Sequence, residues 1–78
     1  MSSKLPRDLD GRTLVRALER AGFIVERQSG GHAVLIHPTH PSRELVVLVH
    51  PGRPIPSGTL NRILKRAGLT PEELIRLL

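Results

Sequence analysis

Apolar residues return every three or four positions through "DLDGRTLVRALERAGF", the spacing of a helix with one buried face. At 100° per residue Leu14, Val15, Leu18 and Ala21 share one arc, and Arg12, Arg16 and Arg20 share the opposite one. The helix should run from about Gly11 to Ala21, with Asp10 as its N-cap and Gly22 as a left-handed stop. The pattern then changes to β-branched and extended in "FIVERQ", and "SGG" follows as a hairpin turn. In "HAVLIHP" strict alternation puts His32, Val34 and Ile36 on one face and Ala33, Leu35 and His37 on the other, until Pro38 ends the run. "PTHPSR" reads as a loop, and "ELVVLVH" as a third strand that is apolar on both faces. "PGRPIPSG" is a stiff connection rich in Pro and Gly. Ser57 is placed to cap a second helix, "GTLNRILKRAG", which buries Leu60, Ile63, Leu64 and Ala67, exposes Arg62, Lys65 and Arg66, and ends at Gly68. In "TPEELIRLL" Thr70, Pro71 and Glu73 specify a sharp start for a short third helix.

Strands in immediate succession form an antiparallel meander, and two long helices with one apolar face each must cover the same side of it. The expected architecture is therefore α+β, a two-layer α-β-β-β-α fold with a short extra C-terminal helix, as one domain over residues 1–78. A chain of this size holds a core worth only a few kcal/mol. It contains no cysteine, which removes disulfides, thiolate metal sites and a cysteine nucleophile and fits a reducing compartment. No apolar run has the length of a signal peptide or a membrane span, so the expected location is the cytoplasm, away from membranes.

Twelve Lys and Arg against seven Asp and Glu leave a formal net charge of +5 and a pI near 11.4, which points to a polyanionic partner. Arg62, Lys65 and Arg66 cluster within one and a half turns, with no carboxylate between Glu44 and Glu72. The arginines of the first helix fit phosphate binding and a merely solvated face equally well. Phe23 is the sole aromatic residue, so stacking platforms for single-stranded bases are missing.

"GGH" at 30–32 is the segment that suggests chemistry. Gly30 and Gly31 let backbone amides approach a phosphate beside His32, an imidazole able to exchange a proton near neutral pH. The competing account has His32 merely starting a strand at the surface. His32, His37, His40 and His50 match no common zinc spacing. There is no Ser-His-Asp arrangement, P-loop or dinucleotide fingerprint. No metal and no cofactor are expected.

The segments "LVRALERAGF", "RQSGGHAVLIHP" and "LVVLVHPGRPIPSGTLNRILKRAGLTPEEL" follow in order the pattern of the HicA (YcfA-like) toxins, mRNA-cleaving members of type II toxin–antitoxin systems. The likeness covers nearly the whole chain. It rests most on the "G-x-H" before the second strand and on "G-T-L-x-x-I-L-x-x-A-G" from Gly58 to Gly68. The resemblance implies a double-stranded-RNA-binding-domain-like fold, an endoribonuclease activity on mRNA, and a HicB-type antitoxin that covers the active surface. It makes His32 the catalytic histidine. Gly31 replaces the serine often found in that motif, which keeps the histidine and removes a hydroxyl. The implied reaction is metal-independent, with the neighbouring ribose 2′-OH as nucleophile and His32 as general base or acid. Gly30, Gly31, Arg27 and the cluster of Arg62, Lys65 and Arg66 are the candidate RNA-binding residues, and His50 and Lys65 the candidates for a second proton-transfer group. The alternative is a non-catalytic RNA-binding module of double-stranded-RNA type, in which the same cations grip phosphates and His32 is structural.

Overall fold

The structure is a computed structural model that describes residues 5–50 and 52–78. Its elements follow the order α1 (Gly11–Arg20), β1 (Ile24–Ser29), β2 (His32–His37), β3 (His40–Leu48), α2 (Ser57–Ala67) and α3 (Pro71–Leu77). The strands form one antiparallel sheet in the order β1-β2-β3. This is the α-β-β-β-α-α arrangement of the double-stranded-RNA-binding-domain-like fold. Alternation decides which sheet face is covered: Ala33 and Leu35 of β2 and Leu45 and Val47 of β3 are buried against Leu14, Ala17 and Leu18 of α1 and Leu60 and Leu64 of α2. Leu74 of α3 closes the same core. Ala17, absent from the arc expected for α1, is fully buried, and no polar side chain among the described residues is.

Local sequence signals set most boundaries. Asp10 caps α1, its carboxylate accepting the Thr13 N–H at 2.8 Å. The expected capping box of α3 is complete: Thr70 Oγ1 accepts the Glu73 N–H at 3.1 Å, and Glu73 accepts the Thr70 N–H at 2.9 Å. Gly68 ends α2 at φ 75°, a left-handed position that costs glycine nothing.

Two expectations about boundaries are corrected. Ser57 is the first residue of α2, not its cap; Pro56 holds the cap position without a side-chain hydrogen bond, since a fixed extended proline leads directly into the helix. The stretch 38–43, expected to be a loop, is largely strand. The turn occupies Pro38 and Thr39, and β3 starts at His40, paired with His37. Pro41 is tolerated because β3 lies at the sheet edge, where one side of the backbone needs no ladder partner.

Candidate active site around the β1–β2 turn

Ser29 and His32 pair across a two-residue turn made of Gly30 and Gly31. Gly30 has φ 60° and Gly31 does not share a positive φ, the pattern of a II′ turn with glycine at its first central position. The turn delivers His32 to the first position of β2, where it pairs with Leu48 at the end of β3 and is exposed on the outer, helix-free face.

The chain leaving β3 then comes back over the turn. The Val49 N–H donates to the Gly31 carbonyl at 2.7 Å, which extends the pairing one step beyond the ladder. This places the imidazole of His50 directly over the Gly31 Cα: a Cβ built there would lie 2.5 Å from His50 Nε2 and 2.9 Å from Nδ1. The Arg53 N–H donates to the His50 carbonyl at 3.3 Å. Leu48, His50, Arg53, Ile55, Thr59 and Ile63 line one groove. The His50 imidazole thus lies over the residue before His32, and Leu48, the cross-strand partner of His32, shares a groove with His50 and Arg53. Imidazoles, glycine amides and a guanidinium are the group types that phosphodiester chemistry calls for.

The other candidate residues lie further along the sheet. Arg27 projects from β1, where Glu26 holds its Nη1 at 2.9 Å and Glu44 at 3.4 Å. Arg66 on the last turn of α2 donates from Nε to the Glu44 carbonyl at 2.6 Å. Glu44 is four residues from Leu48 along β3, about 13 Å at the rise of a strand. Arg66 and Arg62 flank β3 around Glu44 to Val46, and Lys65 is exposed beside Arg66. The structure therefore groups Gly30, Gly31 and His32, and sets Arg62, Lys65 and Arg66 apart as a basic flank along the α2 edge. Sequence reasoning misses Arg53. It sits in a proline-rich connection whose composition signals a turn, and only the return of that connection to the β1–β2 turn gives it a neighbour worth noticing. His37 has a packing role, stacked edge-on against Phe23 at 4.9 Å with Nδ1 2.7 Å from Thr39 Oγ1. Among the described residues no three His, Asp or Glu side chains gather as a metal site would need.

The family model described as the HicA toxin of bacterial toxin–antitoxin systems matches residues 11–69, from the first residue of α1 to just beyond α2. The chain belongs to the HicA toxin family. No curated protein matches it. As a HicA protein it is the toxin member of a toxin–antitoxin pair. The matched span of this HicA chain contains the whole sheet, the glycine turn, His32, His50, Arg53 and the basic flank of α2. It stops short of α3, which packs on α1 from behind, where Arg20 Nη1 donates to the Leu77 carbonyl at 2.7 Å. Among the described residues of this HicA protein no helix is long and apolar enough to cross a membrane.

Proposed function

We propose that this HicA protein is a metal-independent endoribonuclease that cuts mRNA and is neutralised by a HicB-type antitoxin in a type II system. The observation that carries the reading is the placement of His32: an exposed imidazole at the first residue of a rigid strand, directly after a turn with no side chains, in a chain of this toxin family. A binding module has no use for a titrating group held there, whereas transfer of a phosphodiester to the adjacent 2′-OH requires a proton to be removed and another supplied. Amides at Gly30 and Gly31, beside His32 in the chain, and the Arg53 guanidinium, in the groove lined by Leu48 and His50, are the groups assigned to stabilise the charge that grows on the phosphorane. Arg62, Lys65 and Arg66 extend the electrostatic footprint along the strand for the rest of the RNA.

The same geometry bears on the antitoxin. Leu48, the cross-strand neighbour of His32, is 47% exposed and Val46 is 52% exposed on the outer face of the sheet. A partner that buries these side chains covers His32 as well, so inhibition follows from docking alone.

The test is cleavage of a fluorescent RNA by the purified protein in excess EDTA, wild type against His32→Ala. We expect the wild type to cut, leaving cyclic-phosphate and 5′-hydroxyl ends, and the variant to lose about 10²-fold or more while it stays folded and binds RNA equally. Salt-sensitive RNA binding without cleavage by either protein would favour the non-catalytic, double-stranded-RNA-type module instead.

A further inference from the structure

We propose that His50 is the second proton-transfer group of this site, partner to His32, and that Gly31 is the position that makes room for it. The inference rests on the ribonuclease reading above. The His50 ring occupies the space that any side chain at residue 31 would need, with Nε2 2.5 Å from a Cβ built on Gly31. Gly31 does not require glycine for its own backbone, since its φ is not positive. The missing side chain is explained by the ring lying over it.

The surroundings hold that ring over Gly31, the residue that immediately precedes His32. The hydrogen bond from Val49 to the Gly31 carbonyl fixes the residue before His50, and the one from Arg53 to the His50 carbonyl fixes the turn after it. Leu48, which His32 faces across the sheet, shares a groove with His50 and Arg53. The other proton-transfer candidate, Lys65, stands on the last turn of α2 next to Arg66, which bonds the Glu44 carbonyl in the middle of β3. His50 is exposed, and none of the described side-chain hydrogen bonds or ion pairs engages its ring. It is free to exchange a proton with a bound ligand.

The step balances with two imidazoles. One, neutral at the start, accepts the proton of the 2′-OH as the O2′–P bond forms. The other, protonated at the start, gives its proton to O5′ as the P–O5′ bond breaks, leaving a 2′,3′-cyclic phosphate and a 5′-hydroxyl. Arg53 supplies fixed positive charge in the same groove.

The experiment begins by mapping a bond the wild-type protein cuts, and continues with an oligonucleotide carrying sulfur in place of O5′ at that bond. A thiolate leaves without a general acid. On ordinary RNA, His50→Ala and His32→Ala should each lose about 10²-fold or more. On the sulfur substrate just one of them, the variant lacking the acid, should return to within about tenfold of wild type. Gly31→Ala tests the geometry independently, because its Cβ meets a movable side chain and displaces the ring without removing it. It should slow cleavage of ordinary RNA, and adding it to His50→Ala should bring no further loss. Matched melting temperatures and far-UV circular dichroism show that the variants are folded. The proposal is overturned if His50→Ala cleaves within threefold of wild type, if the sulfur substrate rescues neither or both variants, or if the losses from Gly31→Ala and His50→Ala add. A wild-type protein that cuts no RNA would remove the ribonuclease reading itself, an outcome distinct from all of these.

Discussion

At the scale of single residues, glycines carry information that sequence alone leaves ambiguous. Gly11 opens α1, where sequence suggests an ordinary helix-start residue. In the structure a Cβ there would overlap the Leu48 carbonyl oxygen and lie 2.9 Å from the Val49 Cα, backbone atoms of the last residue of β3 and the one after it. Gly58, also near a helix start, has nothing within 4 Å of its would-be Cβ. Alanine at both positions would gain at most about 1 kcal/mol from reduced backbone freedom. At Gly11 the forced shift of backbone costs about 1–3 kcal/mol, so the clash wins. We therefore expect Gly11→Ala to lower, and Gly58→Ala to raise, the urea midpoint at unchanged slope; a stabilising Gly11→Ala would contradict the close approach of α1 to β3. The glycine-histidine segment was legible as a candidate site because turn chemistry and alternation are local. The contact of His50 with Gly31 was not, because it joins residues nineteen positions apart through the return of a connection after β3.

At the scale of elements, α1 and α3 were readable almost to the residue because their starts are specified by hydrogen bonds that the sequence itself encodes. The cap on α1 also makes stability depend on pH. The Thr13 backbone N–H, bonded to the Asp10 carboxylate, holds its pKa below the ordinary value. A depressed carboxyl pKa contributes stability that is fully present above the unfolded value, about 3.9, and is lost as pH falls through the lower folded value. Asp10→Ala should therefore melt at a lower temperature than wild type at pH 7, and the gap should narrow as pH is taken below about 4. A gap that stays constant to pH 2 would show that the carboxylate does not act through its charge. β3 was legible only in part. Prolines at 38 and 41 resemble loop punctuation, and whether Pro41 interrupts a ladder depends on whether the strand is central or at an edge, which is a property of the sheet.

At the scale of the whole molecule, the two-layer arrangement gives each side of the sheet a separate task. The helices bury one face. The other keeps His32, Val46 and Leu48 open, with Arg62 and Arg66 along the adjoining edge. The formal net charge of +5 indicated a polyanionic partner from composition alone, but it could not say which cations are available to it. Arg27 follows Glu26 in the chain whereas the α2 cluster has no carboxylate near it in sequence, and the fold widens that difference. Two carboxylates, Glu26 and Glu44, already neighbour Arg27, and a phosphate must displace them. Among the described residues Arg62 has no such ion pair, and Arg66 bonds to a neutral carbonyl, which leaves its charge uncancelled. RNA affinity measured by anisotropy across a salt series, with His32→Ala protein to prevent cleavage, should separate these cases. Replacing Arg62 or Lys65 by Gln should weaken binding whatever the RNA sequence and reduce the slope of log Kd against log salt by about 0.7 for each phosphate of a single-stranded RNA that is no longer neutralised. Arg27→Gln should change that slope by much less. If all three substitutions alter it equally, the RNA senses net charge and not the basic flank that the fold assembles along α2.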